Sequence, residues 1–348
     1  MMFNSLGDRR VWPVVSRIFG AAALAALLGC SGGGHAMPPV GGSAQAIHQG
    51  AGPAPDLNFS NTWTTLAPMP TKRMATAVGV IGTKVYVAGG YGHTGVLGTL
   101  EIYDASTNMW STGAPMPTKR WTAAGDAVNG IFYVIGGDDG TGGLLNVVEA
   151  YDPTTNMWST KASMPTQRNS LVSTVDQGKI YVIGGYNAGR LATVESYDPV
   201  ANTWSTRASM TLAKSGPYVG TIGTTIIAAG GLANTGLTVT DVEAYNPGTN
   251  VWSARAPMLS ARAGGCAAGI NGFLYASGGT QATTPTPRLD GYKNSTNHWA
   301  SLLSIPRASI AATGGVVNGL LYCFGGANKG YPIGTSATFY NDVQAYQP

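Results

Sequence analysis

An Asn-x-Trp triplet returns six times along this chain, ending at Trp63, Trp110, Trp158, Trp204, Trp252 and Trp299, at intervals of 47, 48, 46, 48 and 47 residues. A glycine pair at Gly89-Gly90, Gly136-Gly137, Gly184-Gly185, Gly230-Gly231, Gly278-Gly279 and Gly325-Gly326 keeps the same intervals in the same order. A tyrosine follows each pair, at Tyr103, Tyr151, Tyr197, Tyr245, Tyr292 and Tyr346. Markers locked to one period imply an array of like units, each too small to bury its own apolar face and dependent on its neighbours. Glycine supplies 50 of 348 residues and charged residues only 10%. That composition argues against a coiled coil, a long helical bundle or a charged disordered tail, and without a triplet period it excludes collagen.

Each unit reads as four short strands, in the first case Met74 to Ile81, Lys84 to Ala88, Thr99 to Tyr103 and Met109 to Thr112. They are rich in Val, Ile, Tyr and Thr and are bounded by Gly, Asn, Asp and Pro. The order of apolar-Gly-Gly, then Tyr, then Trp at a period near 50 residues resembles the kelch repeat, whose units are four-stranded blades. The resemblance covers about Asn61 to Pro348. It implies an all-β, six-bladed kelch β-propeller. The chain enters at Trp63 with an outermost strand and ends after a third strand, so the last blade is expected to be closed by the N-terminal strand, Thr62 to Leu66, leaving no open edge. The tryptophans are read as packing between blades.

Residues 1–29 read as a signal peptide. Arg9, Arg10 and Arg17 precede an apolar run from Ile18 to Leu28, shorter than the ~20 residues that span a bilayer. The run ends in Leu27-Leu28-Gly29-Cys30, which resembles the bacterial lipoprotein box and implies that Cys30 is acylated. Val11-Trp12-Pro13 does not supply the context of a twin-arginine signal. Residues 30–60, rich in Gly, Ala, Pro and Ser, read as a flexible tether that carries His35 and His48 as solvated passengers. Ser31 resembles the outer-membrane sorting choice. The expected location is the cell envelope, with contact to the membrane through the lipid alone.

Candidate ligand-binding residues come from one face of the wheel. A cation precedes the innermost strand of each unit, at Arg73, Arg120, Arg168, Lys214, Arg262 and Arg307, and six such groups are expected to ring the mouth of the central funnel. An arginine fork suits a carboxylate, and kelch domains that bind acidic peptides or sugar acids use arginines at matching positions; the other reading of a cation repeated in every unit is structural, bonding loop carbonyls or holding neighbouring blades. Loops after the glycine pairs add Tyr91, His93, Asp138, Asp139, Tyr186, Asn187, Arg190 and Arg288. The longest stretch runs from Ala327 to Asn341, with Lys329, Tyr331 and Tyr340. These vary between copies, which is where a binding site can be written. Trp121, outside the Asn-x-Trp set and next to Arg120, has two readings, a ring that stacks on a sugar or an aromatic ligand, or a core filler between blades.

Other chemistries find little support. The net charge is +4, and about half of it lies in the leader, too little for a nucleic-acid footprint. Glu101, Glu149, Glu195 and Glu243, with Asp290 and Gln344 in the same slot, belong to the repeat, and Asp138-Asp139-Gly140 is also an ordinary turn sequence. The copper site of galactose oxidase, a kelch-containing enzyme, needs two histidines, and only His93 is placed to reach the funnel face here. No metal, cofactor or catalytic residue is expected. Cys266 and Cys323 are read as buried free thiols, because strand one and strand two of different blades look poorly placed to pair.

The resulting expectation is an envelope-anchored, monomeric binding or scaffold module that meets an acidic protein segment or an anionic glycan. The alternative is an exported enzyme similar to the N-acetylneuraminate mutarotases, which share blade number, export and rim arginines.

Overall fold

The structure, a computed structural model, describes residues 60–329 and 337–348. The leader, Cys30, His35, His48 and Tyr331 lie outside the described residues.

Six four-stranded antiparallel sheets follow one another in the chain. Blade one is Ala77–Ile81, Lys84–Ala88, Leu100–Asp104 and Met109–Gly113, and blades two to five repeat the order. Blade six takes Thr313–Val317, Leu320–Phe324 and Val343–Gln347 from the end of the chain, and Thr62–Thr65 as its outer strand. The N-terminal strand is paired in register there, Trp63 opposite Tyr346. Within a blade the second strand is buried on both faces, as in Lys84–Ala88, where only the lysine is exposed. That is why these strands read as continuous apolar runs. Apolar clusters fill the spaces between successive blades.

The six-fold residues turn out to form one joint, built six times. In every blade the repeat tyrosine lies directly across from the repeat tryptophan, with ring centroids 5.0 to 5.3 Å apart. The triplet asparagine adopts the left-handed conformation, φ 46° to 57°, which Asn tolerates better than most side chains. Its Oδ1 accepts the tyrosine hydroxyl and one backbone N–H of the linker entering that blade. The tryptophan Nε1 then donates to the carbonyl of the same linker residue. In blade three Asn202 takes Tyr197 and the N–H of Ala162, and Trp204 takes the Ala162 carbonyl. In blade six Asn61 and Trp63 grip Leu303 in the same way. Each triplet thus clamps one residue of the linker by both its backbone polar groups.

A second six-fold device encircles the funnel mouth. Ala75, Thr122, Ser170, Gly216, Gly264 and Ala311 all have φ between 51° and 66°. Each donates its N–H to the carbonyl of the next, Thr122 to Ala75, Ser170 to Thr122, Gly216 to Ser170, Gly264 to Gly216, Ala311 to Gly264 and Ala75 to Ala311, at 2.7 to 3.0 Å. The chain of hydrogen bonds returns to its start and joins all six blades. It also explains a boundary. Ala75 breaks the expected strand Met74 to Ile81, leaving Arg73–Met74 to pair with Tyr91–Gly92.

The reading of Cys266 and Cys323 as free thiols is corrected. They form a disulfide with Cα atoms 5.8 Å apart. The inner strand of blade five packs laterally on blade six, with Gly314 beside the Cys266 sulfur, and the small glycine lets the two cysteines meet.

Candidate functional site

Five of the six cations expected at the rim are interior. Arg73, Arg120, Arg168, Lys214 and Arg262 are at most 1% exposed. Each turns into its own blade and meets the repeat acid: Arg73 with Glu101 at 2.8 Å, Arg120 with Glu149, Arg168 with Glu195 at 3.0 Å and Arg262 with Asp290 at 2.7 Å. Lys214 lies 2.5 Å from Asp241 and 3.5 Å from Glu243. Backbone carbonyls take further N–H groups, as Gly89, Thr99 and Val87 do for Arg73. Burial lowers the pKa of Arg73, Arg120 and Arg168, and the facing glutamate pulls each part of the way back. An uncompensated charge would be intolerable there, so position and partner are selected together. These residues tie loop to blade and do not line a ligand surface.

The glycine pairs share the task. In blade one a Cβ on Gly89, φ 64°, would run into the carbonyl oxygen of Arg120, and the Gly90 N–H donates to that oxygen at 2.9 Å. Only glycine allows this approach.

Arg307 departs from the other five. Counting two residues back from the funnel ring reaches Arg73, Arg120, Arg168, Lys214 and Arg262, but Ser309 in blade six. The N–H of Gly279 donates to the Ser309 carbonyl, where the other blades present their cation's carbonyl. The acid slot holds Gln344, so the ion pair has lost both partners. Arg307 lies outside, 54% exposed, on Asp342 at 3.1 Å and over the Tyr340 ring at 4.8 Å.

Residues that do not repeat come together on the same face. Tyr340 leads to Phe339, which meets His93 at 5.1 Å and Tyr91 at 5.9 Å, and Tyr91 meets Trp121 at 5.2 Å. Trp121 bridges through its backbone to Asp138. Asp138 accepts from Asn169 at 3.2 Å, and Asn169 bridges to Tyr186, over which Arg190 lies at 5.9 Å. This arc spans blades six, one, two and three, with an arginine at each end. Tyr91, Trp121, Asp138, Tyr186 and Arg190 are half-buried and His93 is exposed. The Arg190 Nε is buried without a hydrogen-bond partner. Trp121 packs in part on the cluster of Met74, Ala75 and Phe339, so one body of the ring is fixed and the rest is accessible.

The adjacent acids are already occupied. Asp139 accepts from the Thr141 N–H and hydroxyl and from the Gly143 N–H, and these bonds, Thr141 first, hold its pKa below the usual carboxylate range. Asp138 also caps its own turn through the Gly140 N–H. Asp139 is thus arranged to stay ionised and to accept hydrogen bonds, and it is poorly suited to passing a proton.

One functional group escaped the sequence reading. The wheel's axis holds a channel with a cavity of about 370 Å³. Among the residues that line it, Asp126 of blade two is the one with an ionisable side chain. Its Oδ2 is buried and unpartnered, and burial pushes its pKa up to about 7, against the pull of the Ser173 hydroxyl. Lining up the third residue of each inner strand, Gly79, Asp126, Thr174, Gly220, Ala268 and Gly315, would have exposed it.

The comparisons agree with this architecture. The family model described as the KLHDC2/KLHL20/DRC7 Kelch-repeats domain matches residues 111–279, and that of the Kelch motif matches residues 72–117. The chain belongs to the kelch-repeat family. Kelch-like protein 4 of Homo sapiens is 51% identical over 49 residues, 14% of this chain and 7% of that protein, about one repeat. The solved structure of YjhT superposes with a TM-score of 0.70 at 20% identity, covering 80% of this chain and 95% of that one. That likeness shows the propeller fold.

Proposed function

We propose that this kelch propeller is a binding module that takes an anionic glycan along the arc from Arg307 to Arg190, displayed on the cell envelope by an acylated Cys30. The observation that carries the reading is the continuous run of partly exposed Tyr91, Trp121 and Tyr186 between two arginines outside the buried blade pairs. Aromatic faces suit the apolar faces of sugar rings, Asp138 and Asn169 offer hydrogen bonds to hydroxyls, and a guanidinium at either end suits a carboxylate or sulfate. The occupied state of Asp139 favours binding over acid–base catalysis.

The test is a glycan and acidic-peptide array probed at low and high salt with the intact chain, Trp121→Ala and Arg190→Ala. Anionic oligosaccharides should be retained at low salt, should weaken as salt rises, and should weaken roughly tenfold or more in either variant. Retention of acidic peptides alone would move the reading to a protein partner. Equal signals at both salts would contradict it. Accelerated anomer exchange of N-acetylneuraminate, seen by NMR, would instead favour the sugar-acid mutarotases. For the anchor, metabolic labelling with palmitate should mark the wild type and not Cys30→Ser.

A further inference from the structure

We propose that the axial channel binds a small monovalent cation, held by Asp126 together with the hydroxyls of Ser173 and the Thr174–Thr221 pair. The inner strands are the free edges of their sheets, so carbonyls that no neighbouring strand pairs border the axis, those of Gly125 and Val175 accepting the Ser173 and Thr221 hydroxyls at 3.4 and 2.9 Å. Thr174 and Thr221 already meet across blades three and four at 2.9 Å, and Ser173 neighbours Asp126 across blades two and three. Oxygen donors of this kind suit hard cations. The charge count sets the valence, because one carboxylate faces a lining that is otherwise uncharged, and a single positive charge leaves the channel neutral. A buried carboxylate oxygen without a protein partner takes a water, a proton or a cation, and the cavity has room for a cation with its waters.

The packed strands bring no competing cation. Tyr133 lies directly across from Asp126 in the second strand of its blade. Blade one presents Gly79 and Val80. Blade three presents Asp176 at the end of its inner strand, with Tyr181 and Lys179 behind it, and Lys179 is engaged by Asp198 at 3.1 Å.

The sign of the pH effect separates proton from cation. The folded chain holds the Asp126 proton to higher pH than the unfolded chain does. Stability therefore falls as pH rises from the ordinary carboxylate range through about 7, unless a cation takes the proton's place. Thermal unfolding of the intact chain at pH 8 is compared in sodium chloride, potassium chloride and tetramethylammonium chloride at equal ionic strength. One alkali salt should raise the midpoint by about 2–4 °C over the organic cation. Asp126→Asn and Asp126→Ser should lose the difference, and Asp176→Asn should keep it. Crystals soaked in thallium(I) should show an anomalous peak beside Asp126. Equal midpoints in all three salts, or an alkali effect that survives in both Asp126 variants, would overturn the proposal.

Discussion

Asn202 illustrates what a repeated residue does in this molecule. Its side-chain oxygen holds the Tyr197 hydroxyl and the Ala162 N–H at once, and its backbone sits at φ 54°. Asn202→Ala strips two donors of their acceptor and puts alanine where its Cβ is strained. A loss of about 2–4 kcal/mol is expected by urea unfolding, larger than for most polar surface substitutions. The repeats made this residue's importance legible, and its two-sided bond was not, because a spacing cannot say which groups a side chain touches. The same gap misplaced the arginines. Their equivalence was visible, while their direction depended on Glu101, Glu149 and Glu195, which the sequence places in the pattern without showing that each faces a cation across its own blade. Asp126 stayed hidden because it follows no motif.

Blade six shows how an element can keep its form while changing its chemistry. Ser309 and Gln344 replace the ion pair, and the slot retains a small cavity of about 10 Å³ bordered by Ile305, Cys323, Gly325 and Asp342. That is room for about one water. Restoring both partners with Ser309→Arg and Gln344→Glu should be better tolerated than either change alone. A double-mutant cycle by urea unfolding should give a favourable coupling of about 1–3 kcal/mol, and additive losses would deny the slot's equivalence to the other five. Reading by residue type chose Arg307 as the sixth cation, because an arginine two positions off looks more like the pattern than a serine in register. The disulfide was missed for a related reason. Strand number within a blade was weighed, and the lateral contact between blades, where Gly314 makes room, was not.

At the level of the wheel, six triplets and six glycine pairs were enough to place four strands per blade and to pair Thr62–Thr65 with the end of the chain. Removing residues 60–66 takes away Asn61, Trp63 and one whole edge. The remainder is expected to lose its cooperative thermal transition, and an unchanged melting curve would show that blade six stands without the N-terminal strand. The site was less legible than the wheel because its residues, from Tyr340 through Tyr91 and Trp121 to Arg190, come from loops of four blades that only the ring brings together. Repetition specifies the frame, and departures from repetition furnish the face. A comparison of two arginines tests this division most directly. The free energy of unfolding in urea is measured for Arg168→Ala, which breaks a buried pair, and for Arg190→Ala, which empties one end of the arc. The account predicts a loss of about 3–5 kcal/mol for the first and under about 1 kcal/mol for the second. Equal small losses, or the larger one at Arg190, would contradict it.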